Sequence, residues 1–361
     1  MKQHYYAAIL AGGLGTRFWP KSRASFPKQF LDILNTGETL IQSTYKRYHS
    51  FIPAENIFVI TSEEYVDIIK QQLPEMLAEN ILAEPSRKNT APCVAYISFK
   101  LLQRDPSACL IVAPSDHLVT DNKLFEELSL KGLHFAEKNK AFVTLGIEPT
   151  YPNTGYGYIQ YDTEAKGGDG VFKVKTFTEK PDLELAKTFL ASGDFLWNAG
   201  IFMWNVKDVV DAFEKFQPEM YELFLAEKEN FNTGNEKEAI ERIYPLCTSI
   251  SIDYAIMEKA DNVYVIPASF GWSDLGTWNS AYTNLTKDKK ENALAGENIL
   301  VIDSKNSIVY APDEKLVVLQ GLEDFIVVDT HDVLLICKRE NEQQVKDFLS
   351  LVKKHKGDKF L

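Results

Sequence analysis

The apolar run Tyr5–Leu10 opens directly into Ala11-Gly-Gly-Leu-Gly-Thr-Arg17, and Lys28 follows within Phe26-Pro-Lys-Gln-Phe30. Glycines lack Cβ atoms, so successive backbone N–H groups can face an anion there. Alone they read as a tight turn; Arg17 and Lys28 add the charge that holds a phosphate. The spacing is not a P-loop, which needs Gly-Lys-Ser/Thr, nor the dinucleotide pattern G-x-G-x-x-G. A second signal is Ala113-Pro-Ser-Asp-His117, directly after the run Cys109–Ala113. Asp116 lies where ligands bind in open α/β sheets, though a turn or helix N-cap explains it equally well. His117 reads as a packed neighbour rather than a base. A third is Gly271-Trp-Ser-Asp-Leu-Gly-Thr-Trp278. Asp116 and Asp274 together suit Mg²⁺, which takes one or two carboxylates plus phosphate oxygens and water. The plainer alternative is that the tryptophans pack and Asp274 caps a helix. In Thr176-Phe-Thr-Glu-Lys-Pro181 and Trp197-Asn-Ala-Gly-Ile-Phe202, Glu179 offers acceptors for sugar hydroxyls. Lys180 offers charge for a phosphate, and Asn198 both donates and accepts.

The elements that must carry these residues alternate. Apolar runs at Tyr5–Ala11, Ile57–Thr61, Cys109–Ala113, Phe142–Ile147 and Val263–Ile266 read as strands. Helical spacing appears in Leu40, Ile41, Thr44, Tyr45 and Tyr48, in Val66, Ile69 and Leu73, and near 124–135. Strands alternating with helices predict an α/β domain with a mainly parallel sheet over residues 1–290. Near Asn292 the pattern changes to short β-type runs with turn residues every eight or nine positions, ending in a helical segment over 340–354. Residues 291–361 therefore read as a small β-domain with a terminal helix, followed by a solvated, frayed Lys-rich tail. Gly167, Gly168 and Gly170 mark a surface loop.

The 361 residues carry 39 Lys+Arg and 51 Asp+Glu, a net charge of −12. That balance argues against nucleic acid and anionic membrane as partners. The charge is uneven: residues 1–31 hold Lys2, Arg17, Lys21, Arg23 and Lys28 and no acid. An anion site is expected in that stretch. No secretory signal and no long apolar span are evident, and the four cysteines form no C-x-x-C pair. Buried thiols in a cytoplasmic protein are the expectation.

In combination these motifs resemble the sugar-1-phosphate nucleotidyltransferases, and within them the mannose-1-phosphate guanylyltransferase branch. The resemblance runs through Gly12-Gly-Leu-Gly-Thr-Arg-Phe-Trp-Pro20 and Pro27-Lys-Gln-Phe30 to Glu84-Pro-Ser-Arg-Lys-Asn-Thr-Ala-Pro92. It continues in Pro114-Ser-Asp-His117, Asn153-Thr-Gly-Tyr-Gly-Tyr-Ile159, Glu179-Lys-Pro181, Trp197-Asn-Ala-Gly200, Ser251-Ile-Asp-Tyr254 and Gly271-Trp-Ser-Asp274, covering residues 5–280. It implies a Rossmann-like nucleotidyltransferase domain with a mixed sheet, then a small left-handed β-helix. It implies GTP and mannose 1-phosphate as substrates, Mg²⁺ as cofactor and a homodimer as assembly. Leu10, Ala11, Gly12, Gly13, Gly15, Thr16, Arg17, Lys28, Glu84, Ser86, Asn89, Thr90 and Pro114 would then meet the nucleotide, with Glu84–Thr90 on the guanine edge. Gly157, Glu179, Lys180 and Asn198 would meet the sugar phosphate, and Asp116 and Asp274 the metal. Arg17, Lys28 and Lys180 would be the catalytic cations. Ala199 stands where the family often has Ser, and the isomerase domain of longer relatives is not expected here.

The chemistry implied needs no protein nucleophile, because a sugar phosphate is already ionised near neutral pH. Catalysis reduces to positioning and charge neutralisation. A thymidylyl- or uridylyltransferase, or a silent GDP-mannose-binding regulatory subunit, are the rival readings.

Overall fold

A computed structural model describes residues 4–168 and 170–361. Lys2 lies outside them. The chain divides into two compact units. The first holds the chain up to Gly12 with residues 45–115 and 119–272; the second holds residues 13–44, 116–118 and 273–361. The glycine-rich segment after Gly12 thus belongs to the same unit as the C-terminal β-strands, a grouping that linear boundaries do not reveal.

The first unit is built on a nine-stranded mixed sheet. Its spatial order is Ile81–Glu84, Ile57–Ser62, Tyr5–Leu10, Cys109–Pro114, Phe195–Asn205, Phe142–Ile147, Val263–Ala268, Val171–Glu179 and Gly157–Gly168. The four strands from Ile81–Glu84 to Cys109–Pro114 pair in parallel. The inner three are continuous apolar runs, as burial of both faces demands, while the edge strand Ile81–Glu84 alternates in burial. Phe195–Asn205 then enters antiparallel between Cys109–Pro114 and Phe142–Ile147. The sheet's core packs Tyr6, Phe58, Leu110, Val112 and Trp204 with Val94, Ile97 and Leu101 of the helix Thr90–Arg104. That helix starts at Asn89, whose side chain caps it by accepting from the Thr90 N–H at 2.9 Å. Gly167 and Gly168, expected in a loop, extend the strand Gly157–Gly168 because its antiparallel pairing runs on to Gly168 opposite Val171. Only Gly170 of the three has a turn conformation, with φ +77°.

The second unit contains parallel rungs. Ala293–Ala295, Ile308–Tyr310 and Phe325–Asp329 stack in parallel, as do Ile299–Ile302 and Val317–Gln320. Asn292, 1% exposed, starts the coil by bonding the Ser304 carbonyl and accepting from the Ser307 N–H. Its core also contains Phe18, Trp19, Ile33 and Leu40, packed with Leu275, Trp278, Ile308 and Ile326. The helix Val345–Lys356 lays Val345, Phe348, Leu349 and Val352 on this core.

The C-terminal end is not frayed. After the helix, Asp358–Phe360 forms a short turn, and the Phe360 carbonyl accepts from Trp19 Nε1 at 2.7 Å and from the Arg23 guanidinium. Two strong donors on one carbonyl hold the tail, while Lys353, Lys354, Lys356 and Lys359 are exposed to solvent as their composition predicts. Among the described residues no helix is long and apolar enough to cross a membrane.

Candidate active site

In the second unit, Gly15 has φ +57°, and a Cβ there would stand 2.3 Å from Lys28 Cβ. Glycine is required twice over, by conformation and by contact. The Gln29 amide donates to the Gly13 carbonyl at 2.9 Å and Ser22 Oγ donates to the Gly15 carbonyl at 2.7 Å. The loop's carbonyls are therefore drawn toward the protein. Thr16 is exposed at the tip, and its carbonyl accepts from the Trp19 N–H. Arg17 Nε is buried and has no hydrogen-bond partner among the described residues, which marks it as a donor suited to an anionic ligand.

Lys28 is 4% exposed. Its ammonium meets Asp116 Oδ2 at 2.8 Å and the carbonyl oxygens of Asp274 and Leu275 at 3.0 and 2.9 Å. Three donors thus have three acceptors. Burial alone would raise the Asp116 carboxyl, but Lys28 and then His117 hold it below the ordinary aspartate range. Asp274 accepts from the Gly276 N–H at 2.9 Å, so it makes a local turn. The helix Trp278–Asn284 is capped by Thr277, not by Asp274. Trp278 packs on Phe18 with ring centroids 4.9 Å apart. Asp116 is ionised, and one ammonium ties it to the Asp274 backbone. Among the described residues no cluster of three or more His, Cys, Asp or Glu gathers as a metal cage. Asp116 and Asp274 carry the carboxylate donors that Mg²⁺ would take, with its remaining positions left to phosphate and water.

Among the described residues, Lys21 and Arg23 of the acid-free segment have partners too. Lys21 donates to the Asp32 carbonyl at 2.6 Å and lies 3.4 Å above the Tyr310 ring. Burial pushes its ammonium down to about 7, against the pull of Asp32 and Asp313. Arg23 pairs with Asp332 at 2.8 Å. Among the described residues, Lys21, Arg23 and Lys28 are thus held by structural partners, and Arg17 keeps an unsatisfied donor.

In the first unit, Leu10 and Pro114 are side by side on neighbouring parallel strands, and the Leu10 carbonyl accepts from the Ser115 N–H. Ala11 continues the strand, donating to the Ile60 carbonyl at 2.7 Å. A Cβ on Gly12 would stand 2.9 Å from Glu84 Oε2. Glu84 is 5% exposed; its Oε1 takes the Tyr244 hydroxyl and the Cys93 thiol, and burial raises its carboxyl. Ser86 Oγ is buried without a partner, while Thr90 Oγ1 accepts from the Ile252 N–H at 2.8 Å.

Gly157, Glu179, Lys180 and Asn198 do come together. Gly157 and Glu179 are opposed across antiparallel strands. A Cβ on Gly157 would stand 2.4 Å from Glu179 Oε2 and 3.3 Å from Asn198 Cβ. Lys180 has φ +48° and pairs with Glu179. Burial alone would lower its ammonium, but Glu179 and then Asp253 hold it above its ordinary value. Asp253, which carried no assigned role in the sequence, accepts from Asn198 Nδ2 at 2.9 Å. The Ser-Ile-Asp-Tyr motif was the available signal, but it lies 55 residues beyond Asn198. A separate cavity of about 940 Å³ beside Ile81–Ala83 is lined by Tyr96, Lys100 and Phe231 and by none of these residues.

The comparisons with known proteins decide the family. Residues 6–291 match the nucleotidyl transferase family model. The chain belongs to that family. Residues 296–352 match the MannoseP isomerase/GMP-like beta-helix domain, in keeping with the parallel rungs of the second unit. This nucleotidyl transferase is an enzyme. It is 36% identical over 341 residues to the alginate biosynthesis protein AlgA of Pseudomonas aeruginosa, covering 94% of this chain and 70% of that one. It is 35% identical over 358 residues to mannose-1-phosphate guanylyltransferase 2 of Escherichia coli O157:H7, covering 96% and 73%. A solved structure from Thermus thermophilus, described as a mannose-1-phosphate geranyltransferase, superposes with TM-score 0.87 at 28% identity, covering 97% and 100%.

Proposed function

We propose that the chain transfers a guanylyl group from GTP to α-D-mannose 1-phosphate, giving GDP-mannose and pyrophosphate. The observation that carries this is the similarity, over 96% of the chain, to a relative named for that reaction. The cluster of Gly157, Glu179, Lys180 and Asn198 supports a polyhydroxylated phosphate as acceptor substrate.

The attacking group is the phosphate oxygen of the sugar 1-phosphate, which needs no deprotonation by the protein. The barrier is the mutual repulsion of two polyanions, so the protein's work is neutralisation and alignment. Arg17 would carry charge on the leaving pyrophosphate through the face that includes its unsatisfied Nε. Lys180 would hold the sugar phosphate, while Glu179 accepts from hydroxyls and Asn198 orients them. Lys28 would hold Asp116 ionised and fixed to the 274–275 backbone. Asp116 and Asp274 would hold Mg²⁺, which supplies Lewis-acid charge at the phosphates.

Pyrophosphate release tests this directly, with GTP, ATP, UTP and dTTP each offered with mannose 1-phosphate or glucose 1-phosphate, with and without Mg²⁺. Fastest release with GTP and mannose 1-phosphate is expected. A preference for dTTP or UTP would move the enzyme to another branch, and no release from any pair would remove the assignment.

A further inference from the structure

Asp253 opens a wide helical turn, Asp253–Met257, in which the backbone makes π-type rather than α-type bonds. Such turns are concentrated at functional positions. This one is anchored on both sides of Asp253: the Ile252 N–H donates to Thr90 Oγ1 at 2.8 Å, and Gln217 Nε2 donates to the Ala255 carbonyl at 3.2 Å. Asp253 is therefore aimed by tertiary contacts.

Its carboxylate reaches Asn198. That amide is 9% exposed. Asn198 Oδ1 accepts from the Gly200 N–H at 3.0 Å, and Nδ2 donates to Asp253 at 2.9 Å. Thr144 Oγ1 also donates to Oδ1, at 3.2 Å. Flipping the amide would set its oxygen against a carboxylate and its NH₂ against the Gly200 N–H, so Asp253 and Gly200 together fix which way Asn198 points and leave one N–H for a ligand. The charges of Glu179 and Lys180, which pair with each other, both act on Asp253. Burial, then the Glu179 charge, pushes the Asp253 carboxyl up to about 6. An Asn at position 253 would serve a purely structural need without placing a second carboxylate in this pocket. A costly local choice of this kind marks function.

We propose that Asp253 is a specificity-determining residue of the sugar-phosphate site. It holds the Nδ2 end of the Asn198 amide, whose oxygen is held by Gly200, and, with Glu179, supplies paired acceptors for adjacent hydroxyls of a hexose 1-phosphate. This rests on the reading of the chain as a sugar-1-phosphate nucleotidyltransferase. A site built from buried acceptors rejects substrates lacking the matching hydroxyl, because the acceptor is left unpaired.

The test compares the wild type, Asp253→Asn and Asp253→Ala, each checked by thermal melting. Michaelis constants are measured for GTP and mannose 1-phosphate, and calorimetry measures direct binding of mannose 1-phosphate. The Ala variant is expected to raise KM and Kd for mannose 1-phosphate about 10-fold or more, with the GTP KM within about 2-fold of wild type. The Asn variant, which keeps an acceptor for Asn198, is expected to fall between them. Across 2-, 3- and 4-deoxy hexose 1-phosphates, at least one penalty seen in the wild type should collapse in the Ala variant. Equal rises for both substrates, or unchanged constants with an unchanged penalty pattern, would overturn the proposal. If Ala does not fold, the Asn variant decides by the same criteria. A wild type that neither binds nor turns over any hexose 1-phosphate overturns the functional reading and this inference with it. An active wild type with indifferent variants overturns this inference alone.

Discussion

The Lys28 ammonium lies 2.8 Å from the Asp116 carboxylate, and its two other donors meet the backbone of Asp274 and Leu275. Lys28 is thus a cross-brace among three stretches of sequence. Replacing it with Met leaves a carboxylate without its counter-charge and two carbonyls without their donor. A loss of about 1–3 kcal/mol in urea unfolding is expected, moderated because the Asp116 side chain is 29% exposed. Unchanged stability would show that the brace is replaced by water.

The two neighbouring glycines should behave differently. Nothing lies within 4 Å of a Cβ on Gly13, whereas one on Gly15 meets Lys28 and the residue has positive φ. Gly15→Ala is expected to destabilise by about 1–3 kcal/mol. Gly13→Ala should melt like the wild type, and any loss of turnover it shows then reports on phosphate approach. Equal melting losses would contradict the packing difference.

Arg17→Ala removes a guanidinium whose Nε has no partner among the described residues. Melting should be nearly unchanged while kcat falls by about 10²-fold, the size of a lost transition-state donor. Near-normal turnover would end its assignment to the leaving group.

Asp274→Asn and Asp116→Asn should each raise the Mg²⁺ concentration needed for half-maximal rate, by about 10-fold or more if they act as ligands. Mn²⁺ binding followed by electron paramagnetic resonance gives the same comparison without turnover. A titration matching wild type would remove that residue from the metal site.

The raised carboxyl of Asp253 has a consequence for stability. Its value of about 6 in the folded chain exceeds its ordinary value of 3.8, so the folded state holds the extra proton between those two pH values. Its contribution therefore declines as pH rises from about 4 through 6. Asp253→Asn lacks this titration. Relative to wild type, the variant should gain melting temperature between pH 4 and pH 7.5. A constant difference across that range would show that the wild-type carboxyl is not raised.

Some of this was legible in the residues alone. Tyr5–Leu10, Ile57–Ser62, Cys109–Pro114 and Phe142–Ile147 stand within a residue of their apolar runs, because strands buried on both faces have no polar alternation to blur them. Gly157–Gly168 and Val171–Glu179 were visible only as motifs, since their mixed polar composition hides the period. Glycines, Arg17 and the carboxylates stood out by type. Their partners did not. Tyr244 reaches Glu84 across 160 residues, and Lys28 reaches Leu275 across 247. Charge counting likewise saw five bases without acids and could not see Tyr310, Asp332 and Asp116 folding back onto three of them.

The hold of the Phe360 carbonyl on Trp19 and Arg23 also bears on how the molecule is made. Trp19 and Phe360 are 341 residues apart. At ribosomal rates Trp19, beside the glycine-rich segment, emerges roughly 20–70 s before this partner exists. During that interval Trp19 and Arg23 wait without the carbonyl that secures them.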